Sequence, residues 1–195
     1  MLAQSRPNRM THEAYFALER AQDQRHEYLA GEVFAMAGGG ERHALIALGV
    51  LLRDRPCRVY GPDMKVYLDA VDTFCDPDVQ VLCGDAGRRD RWVEGPILVI
   101  EVLSDTTESY DRGLKFEHYR TIPELRHYLL LNQDRAHAEL FSRRDDGVWE
   151  LREASGLDAA VSLSALDALL PLVELYRNVD LAPTLDVGVD EVDPC

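Results

Sequence analysis

A mixed β-sheet flanked by helices, an α/β fold, is what this sequence predicts, and three observations carry the prediction. The runs Val79–Cys83 and Ile97–Leu103 are short, apolar and rich in β-branched residues, as strands covered on both faces are. Helical spacing appears before and after them, and the order helix, meander, then strand, helix and strand excludes a sandwich or a bundle.

Taken in order, Thr11 caps a first helix with Glu13 in its first turn and Tyr15, Phe16, Leu18 and Leu29 turned inward. Tyr28-Leu29 and Glu32 to Met36 form a hairpin around Ala30-Gly31, followed by Gly38-Gly39-Gly40. From Arg42, the spacing of Leu45, Leu48, Leu51 and Leu52 predicts a core-facing helix stopped by Pro56. Strands are expected at Arg58–Tyr60, Met64–Leu68, Pro77–Cys83 and Ile97–Leu103, the last two at the sheet's centre. Ser104 to Thr107 offer N-caps for a helix over about Tyr110–Arg120, with Leu114, Phe116 and Tyr119 packing and Ile122-Pro123 ending it. Strands at His127–Leu131, Ala138–Phe141 and Val148–Leu151 follow, turning at Asp145-Asp146-Gly147, and a last helix is expected around Leu163–Leu169.

Composition narrows the function classes. With 195 residues, 46% of them hydrophobic, the chain can bury a substantial core, and one domain over residues 1–195 is expected, its acidic stretch 180–195 fraying. No apolar run approaches a spanning helix and the first ten residues lack a leader's apolar core, so a cytoplasmic protein without membrane contact is expected. Cys57, Cys75, Cys83 and Cys195 form no CxxC pair, which reads as reduced, buried thiols. A net charge of -14 argues against a protein that coats nucleic acid electrostatically, though not against a local basic patch.

The chemistry concentrates on Glu101, a carboxylate inside an apolar strand. Moving such a charge out of water costs several kcal/mol unless a metal, a cation or a proton compensates it. Asp78 opens the other apolar strand, 23 positions earlier. Neighbouring strands lie about 4.8 Å apart, so acids at matching depth can share an ion. Carboxylates with no nearby His or Cys favour a hard ion, Mg²⁺ or Mn²⁺, with a backbone carbonyl such as that of Val102 completing the shell. Each residue alone has a plainer reading: Asp78 as a strand-opening acid, Glu101 as half of a buried salt bridge.

Together, Tyr28-Leu29-Ala30-Gly31-Glu32-Val33, Pro77-Asp78-Val79, Glu101-Val102-Leu103-Ser104 and the spaced set Thr107, Tyr110-Asp111-Arg112-Gly113, Lys115 and Tyr119-Arg120 resemble the Uma-type endonucleases, within the PD-(D/E)XK or restriction-endonuclease-like superfamily. The likeness spans roughly Thr11 to Arg143. It implies a restriction-endonuclease-like core, a site that holds Mg²⁺ for phosphodiester cleavage of nucleic acid, with DNA the expected substrate, and action as a homodimer. Asp78 and Glu101 then hold the metal, and Glu32 extends the site. The superfamily's lysine normally stands two residues after the second acid, where this chain has Leu103. Lys115, on the following helix, is the replacement the resemblance suggests, with Lys65 its rival and an ordinary solvated lysine the plainer reading. Tyr110, His43, Arg112 and Arg120 are further candidates for phosphate contacts. The competing class is a catalytically silent module on the same fold that acts by binding protein or nucleic acid.

Overall fold

A computed structural model describes residues 9–22, 24–35, 57–84, 87–177 and 179–181. The expected helix from Arg42 to Pro56, the glycine triplet, His43 and most of the acidic stretch lie outside them.

Helix α1 (His12–Ala21) begins as expected, with the Thr11 side chain accepting from the Ala14 N–H at 3.2 Å. Its Tyr15 and Phe16 pack against Tyr28 and Phe74 in an aromatic cluster. Strands β1 (His26–Leu29) and β2 (Glu32–Ala35) form the predicted hairpin. Ala30 and Gly31 both take positive φ, the geometry that matches strand twist, and a Cβ at position 31 would strike the Arg9 side chain at 2.5 Å. The next strands are β3 (Cys57–Tyr60), β4 (Lys65–Leu68), β5 (Thr73–Cys75), β6 (Val79–Cys83), β7 (Trp92–Val93) and β8 (Leu98–Leu103).

A continuous helix, α2, follows, built from an α-helical turn at Glu108–Tyr110, a π-helical segment at Asp111–Lys115 and a second α-helical turn at Phe116–Tyr119. The π segment turns Leu114 outward, to 45% exposure, where plain helical spacing predicted packing. Arg143 closes the helix's far end by donating to the carbonyls of Arg120 and Ile122, at 2.7 and 2.8 Å. Strands β9 (His127–Asn132), β10 (His137–Arg143), β11 (Trp149–Ser155), β12 (Ala160–Leu163) and β13 (Ala168–Pro171) and a short α3 (Leu172–Leu175) complete the described elements. The last helix expected at Leu163–Leu169 shrinks to a single 3-10 turn, Ser164–Leu166, which joins β12 and β13 as a hairpin. Asp167 adopts a left-handed φ and breaks the helical run, and Val161, Leu163 and Leu170 then alternate into the core.

The sheets run β2-β1-β5-β4-β7 and β11-β10-β9-β8-β6-β3, with β12 and β13 forming a third. In the six-stranded sheet β8 and β9 pair in parallel and the other pairs are antiparallel, so the sheet is mixed. Antiparallel register sets Cys57 opposite Cys83, Cα atoms 4.1 Å apart, and a disulfide joins them. This corrects the reading of reduced thiols: the partners become neighbours only across the sheet, which spacing in sequence does not show. Cys75 is free and buried.

Parity along the central strands decides what each side chain meets. Leu98, Ile100 and Val102 join one core with Val79, Val81 and the β12–β13 hairpin. Val99 and Leu103 join the other, with Leu82 and the Phe116 and Tyr119 rings of α2. Glu101 shares the parity of Val99 and Leu103, and Asp78 that of Leu82, so both acids face α2. The five apolar side chains of β8, each at most 3% exposed, supply about 1.5–3 kcal/mol apiece by burial, enough for this strand to tolerate one charge.

Candidate active site

Val79 pairs with Ile100, so Asp78 and Glu101 stand side by side where β6 begins and β8 ends. The strands tie them together. The Val102 N–H donates to Asp78 Oδ2 at 2.7 Å, and the Asp78 N–H lies 3.4 Å from Glu101 Oε2. Asp78 is half-buried, whereas Glu101 is 2% exposed.

Helix α2 covers the pair. Lys115 Nζ reaches Glu101 Oε1 at 3.0 Å, and the Tyr119 hydroxyl donates to the same oxygen at 3.2 Å. The ammonium also faces Asp111 Oδ1 at 3.4 Å and Glu27 Oε1 at 3.6 Å. Glu27 comes from β1 in the other sheet, and its Oε2 accepts a 2.7 Å bond from Tyr110. Its Oε1, buried against Lys115, has no hydrogen-bond partner. Three carboxylates therefore surround one ammonium, with Asp78 beside Glu101 as a fourth acid nearby.

The electrostatics agree on a shortage of positive charge. Burial pushes the Glu101 carboxyl well above the usual range, with Lys115 working against the shift and Asp111 and Asp78 adding to it. Burial opposes the charge on Lys115, yet Glu101, Glu27 and Asp111 together hold its ammonium well above the usual lysine range. The cluster thus retains protons tightly and would accept a further cation. Its donors are oxygens alone, the set that suits Mg²⁺ or Mn²⁺, and the orphaned Glu27 oxygen is a buried acceptor that such a charge would relieve.

Of the residues singled out in the sequence, Asp78, Glu101 and Lys115 come together. Glu32 does not join them. The tight turn at Ala30-Gly31 sends it to the exposed edge strand β2, opposite Leu29, while Glu27 on the inner strand faces the site. Tyr110 is bonded to Glu27 rather than open to a phosphate. Arg112 is engaged by Glu108 at 2.8 Å and by Glu139. Arg120 lies 5.2 Å over the Phe116 ring. Lys65 occupies a separate nest of Asp76, Glu19 and the His26 carbonyl.

Sequence reading passed over Glu27 and gave no site role to Asp111 or Tyr119, although both stand in the spaced set that carries the family resemblance. Asp111 and Lys115 were detectable as an i,i+4 acid–base pair, and Glu27 as an acid alternating with aromatic and apolar residues once β1 is begun at His26. Among the described residues, the one group of three or more metal-type ligand atoms within 4.8 Å of one another lies elsewhere, at His137, Glu139 and Glu153 on β10 and β11. In the candidate site Lys115 stands between the acids instead.

The chain matches the family model Uma2, described as "Putative restriction endonuclease", over residues 12–175. It is 34% identical over 178 residues to "Uncharacterized protein slr1290" of Synechocystis sp., covering 88% of this chain and 93% of that protein. With "Uncharacterized protein sll1609" of the same organism it is 29% identical over 164 residues, 80% and 93% of the two chains. Among solved structures it is similar to "a putative nuclease belonging to DUF820" from Anabaena variabilis, with a TM-score of 0.63 and 15% identity over 80% of this chain and 91% of that one. At that identity the likeness is one of fold.

Proposed function

The chain belongs to the Uma2 family, and from that premise we propose that it is a divalent-cation-dependent endonuclease that hydrolyses phosphodiester bonds in nucleic acid, with DNA the favoured substrate. The observation that carries this reading is the meeting of Asp78 and Glu101 on adjacent strands, with Lys115 3.0 Å from Glu101. Asp78, Glu101 and the Val102 carbonyl would hold Mg²⁺ or Mn²⁺. When bound, such an ion lowers the pKa of a water ligand and screens the charge that grows on the phosphate.

The chain's own groups do the positioning. The Val102 N–H fixes the Asp78 carboxylate, and the Tyr119 hydroxyl and Lys115 fix that of Glu101. Lys115 supplies a compact positive charge for the attacking water or the phosphate, in place of the lysine that Leu103 displaces. Glu27, bonded to Tyr110, holds Lys115 from the opposite side. Cutting both strands of a duplex would call for two such sites, hence a homodimer, which light scattering would register. The deciding experiment incubates plasmid DNA with Mg²⁺ or Mn²⁺. Nicking should occur with wild type, stop with chelator and be absent in Asp78→Ala and Glu101→Ala. Cleavage that survives both substitutions contradicts the proposal, and inactivity of every form supports the silent-module alternative.

A further inference from the structure

As placed in this structure, Lys115 is too enclosed to touch substrate. Its side chain is 3% exposed and faces three carboxylates that are themselves 3–5% exposed. The position it fills is that of a counter-ion. Its contacts lengthen from 3.0 Å at Glu101 to 3.4 Å at Asp111 and 3.6 Å at Glu27, a graded, loose set around one point charge. The other lysine of the chain, Lys65, is held differently. It has both oxygens of Asp76 at 2.8 and 2.9 Å, Glu19 at 2.9 Å and the His26 carbonyl at 3.1 Å.

We infer that in the metal-free protein Lys115 stands in for the divalent cation, and that an ion arriving at Asp78 and Glu101 displaces it, so that the lysine becomes available to a substrate phosphate only when metal is loaded. This rests on the reading of those two acids as metal ligands. An ion held by Asp78 and by Glu101 Oε2, which lies 3.4 Å from the Asp78 N–H, would set a second positive charge on that carboxylate. Its Oε1 already faces the Lys115 ammonium at 3.0 Å, and the two charges repel. The helix contains a route for the exchange. Lys115 ends the π-helical segment, a form found chiefly as single-turn bulges, often at functional sites. Gly113 inside it carries no side chain to resist rewinding. Resolving the extra residue into α-helical register would turn the lysine by about 100° around the helix axis, one residue's share of a 3.6-residue turn. Phosphate access is thereby coupled to cation occupancy: the Glu101 carboxylate is neutralised by Lys115 without metal and by the ion with it.

The chain has two lysines, so amine acetylation read by mass spectrometry reports on each separately. Wild-type protein is treated with a limiting acetylating reagent, with and without saturating Mn²⁺, and binding is followed in parallel by calorimetry. Labelling of Lys115 should rise by about tenfold with Mn²⁺, the factor that follows from losing a contact of about 1.4 kcal/mol. Lys65 should stay unchanged, and Asp78→Asn should remove the Lys115 response. If Mn²⁺ binds in an Asp78-dependent way while Lys115 labelling stays flat, or if both lysines respond alike, the displacement idea is wrong and the metal site survives. If Mn²⁺ gives neither heat nor labelling, the metal-site reading fails, and the displacement with it.

Discussion

Two buried lysines, each set among carboxylates between a helix and a sheet, divide this molecule into a stitched half and a chemically open half. Around Lys65 all four carboxylate oxygens are engaged. Asp76 and Glu19 face the ammonium at 2.8–2.9 Å, and the second Glu19 oxygen takes the His26 N–H at 3.1 Å and faces its ring nitrogen at 2.9 Å. Around Lys115 there are three acids, longer contacts and an oxygen of Glu27 with no hydrogen bond. Buried ion clusters that exist to hold a fold are fully satisfied. An acid-rich, incompletely satisfied cluster at the ends of two strands is what the proposed cation site rests on.

The contrast is broken most sharply by removing each ammonium. Lys65→Met and Lys115→Met should each cost about 3–5 kcal/mol in denaturant melts, the penalty for buried carboxylates left without a partner. Only Lys115→Met should regain stability when Mn²⁺ is added, because only that cluster can replace its lysine with a metal. Equal rescue of both, or of neither, would erase the distinction.

Next in size is a pH effect from a buried group that belongs to neither cluster and so calibrates both. His127 sits against Ser142 Oγ at 3.0 Å and accepts the Ala165 N–H at 3.1 Å, and burial, helped by Arg126, lowers its pKa to about 4. The unfolded chain, titrating near 6.5, binds more protons between those values. The contribution of His127 is therefore complete above about pH 6.5 and is lost as pH falls towards 4, about 3 kcal/mol in all. Against His127→Gln, wild type should lose this increment over that window; parallel pH curves would show that the ring is not held neutral.

Smaller again is the exchange of single acids. Glu19→Gln weakens its ties to Lys65 and His26 at once and should cost about 2 kcal/mol. Glu27→Gln removes one charge from an over-acidic cluster and leaves an amide acceptor for Tyr110, so it should change stability by less than about 1 kcal/mol while weakening Mn²⁺ binding. A larger loss for Glu27→Gln than for Glu19→Gln reverses the assignment of the two nests. Smallest is Gly113→Ala. A Cβ there meets nothing within 4 Å, so thermal melts should show a gain of up to about 1 kcal/mol from helix propensity alone.

Much of this was legible in the sequence because it depends on local period. The two apolar strands, the Ala30-Gly31 hairpin and the Thr11 cap follow from alternation, turn chemistry and capping. Asp78 and Glu101 could be paired because an acid inside an apolar strand needs a partner. What was not legible depends on the third dimension or on a broken period. The π segment shifts Leu114 outward and Lys115 inward, and nothing in residues 108–119 announces a register change apart from Gly113. Glu27 was missed because β1 was begun at Tyr28, one residue past it. Cys57 and Cys83 are joined only by cross-strand register, and the β12–β13 hairpin hides in a leucine pattern that suits either period.

Anomalous scattering from a crystal soaked in Mn²⁺ tests the central claim most directly. Density bridging Asp78 and Glu101, with Lys115 withdrawn from Glu101, is the predicted result. Density confined to His137, Glu139 and Glu153, with the Lys115–Glu101 contact still at 3.0 Å, would contradict it.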